Sequence, residues 1–327
     1  MSDTRPAEIL INTVNGPVAA ADLGITIAHE HLRTRQEPTY TQFPHIYDDD
    51  HAAAVIVAEL TRAKEFGLES YCDATAPGLG RDVRFAQRIA EEAGVRILMA
   101  TGYYTFDAIP SYFVPRDIDV MAEAFVHDIT VGIQGTDVKA AYLKCATDEP
   151  GITPNVEKVL RAVARAHRAT GAPIMTHSVP ALRNGLDQLD IFEDEGADLR
   201  SVMIGHCGDS TDVDYLEEVA RRGAALGMDR YGMSDRLPIE DRNTTILEMC
   251  RRGYADRIML AQDHSIVRDI ILPESQLAKR PEWSTHLVLE RIVPELVSLG
   301  LESDLAMAMV RENVHRWLTP RTGGGEA

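Results

Sequence analysis

The chain has 327 residues, enough for one large domain or two domains of ordinary size. Apolar residues make up 45% of it, so a large core can form, and neither disorder nor a fibrous repeat is indicated. Its 33 basic and 51 acidic residues give a net charge of −18. Because such a chain repels phosphate backbones and anionic lipids, we expect no nucleic-acid partner and no membrane partner.

The cysteines and the N-terminal residues bear on the cellular compartment. The four cysteines form no C-x-x-C pair, and a chain of this length needs no disulfide to hold it together. We therefore predict reduced thiols and a cytoplasmic protein. The first 20 residues lack the basic start and apolar run of a signal peptide, and no stretch of about 18 apolar residues predicts a membrane span.

Short apolar stretches alternate with amphipathic helices along the chain. Eight strands are predicted at 24–31, 68–74, 95–101, 138–144, 173–177, 202–206, 224–228 and 258–263. Helices are predicted at 51–66, 82–93, 120–130, 153–171, 186–195, from Thr211 onward, at 244–252 and at the C-terminus. Polar loops are predicted at 33–50 and at about 265–282. Mostly non-alternating strands are typical of a parallel sheet covered by helices, and eight such units predict an α/β fold, the (β/α)8 TIM barrel.

No linker, low-complexity segment or break in composition divides the chain. We therefore predict one domain over 1–327. It would carry an N-terminal extension to about residue 20 and a flexible tail from about residue 320.

The first motif with chemical potential is His29-Glu30-His31, which ends the first predicted strand. Residues i and i+2 of a strand point to the same side, so the two imidazoles face one point. Short motifs also occur by chance, and two hydrogen-bonded histidines in a turn are the alternative.

Polar residues also end four later strands. They are Lys144, His177, His206 and Asp263. In a (β/α)8 barrel the active site lies at the carboxyl ends of the strands, so these residues and the two histidines are predicted to meet at one rim. Neutral imidazoles suit zinc and neighbouring transition metals, and Asp adds an anionic oxygen. The sequence therefore predicts a metal site.

Lys144 is unusual in such a set because an ammonium group repels a dication. One interpretation is a lysine that pairs with an acid. The other is an amine kept neutral by burial and by the metal, which takes up carbon dioxide to form a carbamate that can bridge two ions. The residues alone leave both interpretations open.

The order His-x-His, Lys, His, His, Asp over eight units resembles the binuclear amidohydrolase superfamily. More narrowly, it resembles the phosphotriesterase family and the phosphotriesterase-like lactonases within it. The similar segments are 27–31, 143–147, 170–177, 204–211 and 227–232. The resemblance covers nearly the whole chain, and its five motifs recur in one order.

The resemblance implies two divalent transition-metal ions per chain, zinc first, with cobalt, iron or manganese as alternatives. It implies that Lys144 is N6-carboxylated and bridges the two ions, which share a hydroxide. The implied ligands of the first ion are His29, His31, Lys144 and Asp263. Those of the second ion are Lys144, His177 and His206.

The resemblance also implies the substrate, a small-molecule lactone of the N-acyl homoserine type, and hence a quorum-quenching role. Tyr104 and the turn at 229–232 match the lactonases rather than the true phosphotriesterases. Asp263 would act as proton shuttle, and Tyr104 would hydrogen-bond the lactone. Together with Lys144, these are the expected catalytic residues. The expected substrate contacts are Tyr104, Phe106, Arg230 and Ser265.

Several alternatives stay open at this stage. Segment 102–116 holds five aromatic residues, which suit either a packed loop or the wall of a ligand pocket. Arg230 can fix loops instead of touching substrate. Ser265 stands where lactonases often carry cysteine, and 266–283 matches them poorly, so the acyl-chain length is not specified. The same chemistry fits a phosphotriesterase or a carboxylesterase, and a non-catalytic metal-binding barrel is a more distant alternative. We expect a homodimer.

Overall fold

Eight parallel strands surround the core in a computed structural model, which describes residues 9–269 and 278–321. The strands are β1 (Thr26–Thr34), β2 (Ser70–Asp73), β3 (Arg96–Gly102), β4 (Tyr142–Ala146), β5 (Ile174–His177), β6 (Val202–Ile204), β7 (Ala225–Met228) and β8 (Ile258–Leu260). Each strand pairs in parallel with the next along the chain. Parallel neighbours need a crossover, and helices provide it on the outside of the barrel.

The stretch of chain from 258 to 268 closes the barrel. Here β8 pairs with β7, and a further strand, β9 (Ser265–Arg268), pairs with β1. Between them the Asp263 N–H donates to the His29 carbonyl, and the His31 N–H donates to the His264 carbonyl, each at 3.0 Å. The predicted (β/α)8 barrel is therefore confirmed.

The helices cover the outside of the barrel. Their bounds are Glu37–Gln42, Asp49–Lys64, Val83–Ala93, Ile118–Thr130, Pro154–Thr170, Asn184–Asp194, Val213–Arg221 and Ile239–Arg251, then Val288–Ile292 as a π-helix, Val293–Ser298, Ser303–Ala308 and Glu312–Leu318. Within the described ranges, no helix has the length and apolar character needed to cross a membrane.

Local signals explain several helix ends. The Thr153 hydroxyl accepts the Val156 N–H, Pro154 takes the first helical position, and Gly171 closes the helix with a φ of +74°. These are the predicted start and stop. The cap predicted at Thr211 is wrong by one residue, because the Asp212 carboxylate accepts the Tyr215 N–H instead.

Both predicted polar loops are partly wrong. Instead of ending at His31, β1 continues to Thr34, because β9 supplies a parallel partner from the far end of the chain. The helix Glu37–Gln42 also lies in the range predicted as a loop. The second predicted loop begins with β9, and its part from 270 to 277 lies outside the described residues.

Strand alternation separates two apolar layers. On β4, Leu143 and Cys145 pack outward against the helices, whereas Tyr142 belongs to the cluster inside the barrel. Trp317 packs against Tyr142 and belongs to the same inner cluster. Part of the predicted N-terminal extension is integral to the fold, because Ile11 is buried in this inner cluster. The carboxyl ends of the strands therefore lie above a packed apolar layer.

Leu160 tests how far the outer layer stabilises the fold. It is fully buried on the helix behind β4, so Leu160→Ala should lower the free energy of unfolding by about 2–5 kcal/mol. Leu299 is 57% exposed, and Leu299→Ala should change the free energy of unfolding by less than about 0.5 kcal/mol. Urea unfolding followed by circular dichroism measures both, and equal losses would contradict the described packing.

Candidate metal centre

The carboxyl ends of five strands bring all six sequence-predicted residues into one buried cluster. Its members are His29 and His31 on β1, Lys144 on β4, His177 on β5, His206 just after β6 and Asp263 just after β8. One Asp263 oxygen, Oδ1, lies 3.3 Å from His31 Nε2 and 3.6 Å from His29 Nε2. Lys144 Nζ lies 2.8 Å from His29 Nε2, and His206 Nε2 lies 2.8 Å from His177 Nδ1.

Three residues at these strand ends have left-handed backbone conformations. The φ angles are +65° at His206, +65° at Arg230 and +51° at Asp263. Only five described non-glycine residues have positive φ, and such strain persists where the surrounding structure imposes it, often at functional sites. At these positions strand alternation no longer governs where the side chain points.

Asp229, at the end of β7, orients two of the histidines. Its carboxylate lies 2.7 Å from His29 Nδ1 and 2.9 Å from His206 Nδ1, and it also accepts the His206 backbone N–H at 3.1 Å. Burial raises the pKa of Asp229, but the two imidazoles outweigh this and hold the pKa below its usual range. An ionised Asp229 can only accept, so both Nδ1 atoms carry the proton and both Nε2 atoms offer lone pairs to the cluster.

His177 is oriented in the opposite sense by two other partners. Its Nε2 lies 2.6 Å from Asp148 Oδ2, and its Nδ1 lies 3.1 Å from the Tyr104 hydroxyl. The hydrogen bond from His177 lowers the pKa of Asp148 to about 2, so Asp148 is an acceptor. The His177 lone pair therefore lies on Nδ1, facing the lone pair of His206 Nε2 with no proton between them. A cation is what such an arrangement attracts.

Burial sets the charge of the imidazoles. It lowers the pKa of His29 and of His206, and it lowers the pKa of His177 to about 4. All three are therefore neutral near pH 7, the form that binds metal ions. His31 places Nδ1 3.0 Å from the Thr75 hydroxyl and turns Nε2 toward Asp263.

Lys144 is fully buried, and burial lowers the pKa of its amine to about 8. Of the carboxylates in the described ranges, none lies within 4.0 Å of Nζ, so the interpretation of Lys144 as an ion-pair partner finds no support there. Gly102 on β3 presses against this strand, with a φ of +105° and room for no side chain beside the Lys144 carbonyl. An amine with a lowered pKa and no carboxylate partner in the described ranges suits carbamate formation.

Among residues 9–269 and 278–321, two overlapping groups have donor atoms close enough to hold an ion: His29, His31 and Asp263, and His29, His206 and Asp229. In the second group the carboxylate and both Nδ1 atoms already satisfy one another. In the first group, Nε2 of both histidines and Oδ1 of Asp263 point toward one another. The donor set of the cluster therefore fits transition metals on the side of the Nε2 atoms.

A cavity of about 250 Å³ opens onto the cluster. Tyr104, Arg230 and Ser265 line it, as expected from the sequence. Phe106 lines the neighbouring cleft instead, with its ring centroid 5.5 Å from that of His177. Arg230 lines the cavity and also donates to Asp263 Oδ2 at 3.1 Å and to Asp209 at 2.8 Å, so it links two loops at the rim.

Two residues of this site are not identified by the sequence patterns. Asp229 falls within the turn at 229–232 without a predicted role of its own, and no pattern marks Asp148. The signal for Asp229 was its place at the end of β7, the same place that marked the other strand-end residues. Asp148 lies in a loop two residues beyond β4, where no periodicity applies.

A (β/α)8 barrel with a buried cluster of this composition at its carboxyl rim defines a metal-dependent hydrolase as the class of protein. The profile of the phosphotriesterase family matches residues 9–318. The chain belongs to the phosphotriesterase family, and it is an enzyme, a hydrolase.

Individual relatives agree with this assignment. The chain is similar to aryldialkylphosphatase of Saccharolobus solfataricus, with 39% identity over 92% of this chain and 97% of that protein. It is 42% identical to a phosphotriesterase homology protein of Mycobacterium tuberculosis, over 96% and 98% of the two chains. The solved structure of the phosphotriesterase from Mycobacterium tuberculosis superposes with a TM-score of 0.90 at 42% identity, covering 95% and 98%.

Asp229→Asn tests the orientation of the imidazoles. An amide has one acceptor oxygen and would turn its NH₂ group toward one Nδ1–H, forcing that imidazole into the other tautomer with a protonated Nε2. We expect zinc affinity to fall by about 10- to 100-fold in a competition titration. Asp256→Asn, at a carboxylate on the surface, is the matched control. Equal affinities of the two variants would contradict the role of Asp229.

Proposed function

We propose that this hydrolase opens lactones, with N-acyl homoserine lactones as the substrates and weak activity on phosphotriesters. One observation carries the proposal. The two lactonase-like residues each contact the cluster and line its cavity: Tyr104 lies 3.1 Å from His177, and Arg230 lies 3.1 Å from Asp263. A small lactone could therefore meet the cluster, a phenol and a guanidinium at once.

We assign two divalent transition-metal ions to the cluster, zinc first, with cobalt, iron or manganese as alternatives. The first would be held by His29, His31, Asp263 and a carboxylated Lys144. The second would be held by the same lysine with His177 and His206. When bound, such ions supply a hydroxide nucleophile near neutral pH and polarise a carbonyl group.

Asp263 is the proposed proton shuttle. The pKa of the Asp263 carboxyl lies below its usual range despite its burial, and the donation from Arg230 favours the ionised form. Oδ1 faces the two histidines, while Oδ2 accepts from Arg230 Nε. Arg230 therefore fixes the plane of the carboxylate. Asp263 takes a proton from the nucleophile and returns it to the leaving alkoxide of the opened ring.

Tyr104 is the proposed hydrogen-bond donor to the lactone. Burial raises the pKa of its phenol, so the hydroxyl stays protonated at any pH at which the protein works. It contacts His177 in the described structure and can turn its proton to a ligand oxygen in the same cavity. A phenol at this place would position the lactone ring without adding charge to the cavity.

Apolar side chains complete the cavity and are the proposed contacts of the acyl chain. They include Leu79, Met233 and Trp283. The Gly232 backbone, with a φ of +92°, allows the Trp283 backbone to approach, since an added Cβ would lie 2.7 Å from its Cα. Each methylene buried against these walls contributes about 0.8 kcal/mol, which favours longer chains over very short ones.

The alternative is a phosphotriesterase or a carboxylesterase acting mainly on other esters. The name of the relative aryldialkylphosphatase favours it. We prefer the lactonase function because Tyr104 and Arg230 match the lactonase branch of the family and both line the cavity next to the cluster. A non-catalytic barrel finds no support in a chain whose relatives are named hydrolases.

We also propose a cytoplasmic homodimer whose single domain spans the chain. The four cysteines are free, which suits a reducing compartment. The exposed apolar side chains of Phe43 and Ile46, 55% and 59% exposed, support an interface between copies.

The metal content should be close to two transition-metal ions per chain. Chelation should abolish lactone hydrolysis, because it removes the ions that would supply the hydroxide nucleophile. Added zinc, cobalt or manganese should restore activity. Elemental analysis and rate measurements on the same sample check this, and a metal-free protein with full activity would refute it.

Lys144→Ala should lose metal and activity together, since it removes the proposed bridge. Short carboxylic acids should restore part of both by filling the vacated place. Lys139→Ala, at an exposed lysine before β4, is the matched control and should match the parent chain. If Lys144→Ala keeps both ions and the rate, Lys144 is not a bridging ligand.

The ratio of two specificity constants tests the substrate. We expect kcat/KM for a long-chain N-acyl homoserine lactone to exceed that for paraoxon by at least about tenfold, a barrier difference near 1.4 kcal/mol. Tyr104→Phe should lower the lactone value more than the paraoxon value, because it removes the donor proposed for the lactone. A higher value for paraoxon than for every lactone would establish the phosphotriesterase alternative.

A further inference from the structure

The mouth of the cavity carries more positive than negative charge. Four arginines line it: Arg230, Arg236, Arg268 and Arg280. Asp209 pairs with Arg230 at 2.8 Å and lies 3.7 Å from Arg236, while Asp235 takes Arg280 in a two-oxygen contact at 2.8 and 3.0 Å. The chain as a whole has a net charge of −18, so a positively charged patch at a ligand cavity suggests a role in binding an anionic group.

Among the described residues, Arg268 is the arginine of this patch for which no carboxylate partner is found. Its Nε donates to the Ser265 carbonyl at 3.1 Å, and its guanidinium lies 4.1 Å from the centre of the Trp283 ring. Its Nη1 is buried and has no hydrogen-bond partner in the part of the chain that the structure describes. Burial and the charge of Arg280 lower the pKa of Arg268 to about 10, so it remains a cation near pH 7.

Arg268 is a half-buried cation, and a buried N–H donor such as its Nη1 is costly unless something pairs with it. The Ser265 carbonyl and the Trp283 ring hold this guanidinium in place, so a ligand would not have to order it. The planar guanidinium group of Arg268 matches a carboxylate in geometry and charge. Hydrogen bonds between two such charged groups are stronger than hydrogen bonds between neutral groups. An apolar chain end would leave Nη1 unsatisfied.

We propose that Arg268 is a subsite for a carboxylate that the substrate carries at the end opposite the bond to be cleaved. The substrate class is therefore a lactone whose side chain ends in a carboxylate, favoured over a neutral lactone of equal length. This inference rests on the proposed lactonase function for the position of the scissile bond. Arg280 and Arg236 add longer-range attraction at the mouth, and Trp283 packs against the chain that leads to the carboxylate.

Homoserine lactones acylated with a glutaryl or a glutaramoyl group test the subsite by turnover. The two differ only in a terminal carboxylate or carboxamide. We expect kcat/KM of the parent enzyme to be at least about tenfold higher for the carboxylate. Arg268→Gln should bring this ratio below about twofold, and Arg268→Lys should keep part of it because the charge remains. A parent ratio near one, or a ratio unchanged in Arg268→Gln, would overturn the proposal.

Two control variants are needed. One tests whether any nearby positive charge gives the same preference as Arg268, and the other tests whether an acidic residue of the chain already pairs with Arg268. Lys279→Gln removes an exposed cation nearby in sequence and should leave the ratio unchanged. Glu274 is the acidic residue of the segment 270–277. Glu274→Gln should also leave the ratio unchanged. A fall in Lys279→Gln equal to that in Arg268→Gln, or a rise in Glu274→Gln, would overturn the proposal.

Binding of the matching lactams separates this inference from the proposed function, because a lactam ring resists opening. Trp283 lines the cavity and reports binding by fluorescence, while Trp317, the other tryptophan, is buried in the inner cluster. The carboxylate lactam should bind at least about tenfold more tightly than the carboxamide, and less so in Arg268→Gln. If the carboxylate lactam binds more tightly but no lactone is hydrolysed, the proposed lactonase function is refuted and the Arg268 subsite is supported. Turnover of neutral lactones with no preference in either assay would refute the subsite alone.

Discussion

The carboxylate of Asp229 determines which side of the rim can hold a cation. It is fully buried and accepts from Nδ1 of both His29 and His206, so two imidazoles from opposite parts of the chain share one tautomer. Asp148 imposes the opposite tautomer on His177. These two carboxylates turn the free lone pairs inward, and in the described structure the lone pairs of His177 and His206 face each other at 2.8 Å. The proposed metal chemistry, the orientation of Asp263 and the place of Lys144 all depend on that arrangement.

The barrel makes such a cluster possible because its strands end at one level above a packed interior. Tyr142 belongs to the inner apolar cluster and Lys144, two residues on, lies at the rim, so one strand supplies both the base and the site. Where alternation would misdirect a side chain, left-handed backbone at His206 and Asp263 redirects it. This local backbone strain occurs at the rim, where the position of each side chain matters most for the site.

The barrel, the family and the convergence of the six strand-end residues could be predicted from sequence, because period, strand length and motif order are local properties. The extension of β1 to Thr34 could not, since it depends on β9, more than 200 residues away. The role of Asp229 depends on its distance to two imidazoles, and the free donor of Arg268 depends on the positions of its neighbours among residues 9–269 and 278–321. The assignment of the six residues as metal ligands stays a prediction, supported by tautomers and burial.

Anomalous diffraction from crystals of the zinc- or cobalt-loaded protein tests the central claim most directly. It locates each ion and identifies the nitrogen that contacts it. We predict two ions, contacted through Nε2 by His29, His31 and His206 and through Nδ1 by His177, with Asp229 bound to no ion. An ion held by Asp229 together with Nδ1 of His29 or His206 would contradict this arrangement, because it would require the opposite tautomers of these imidazoles.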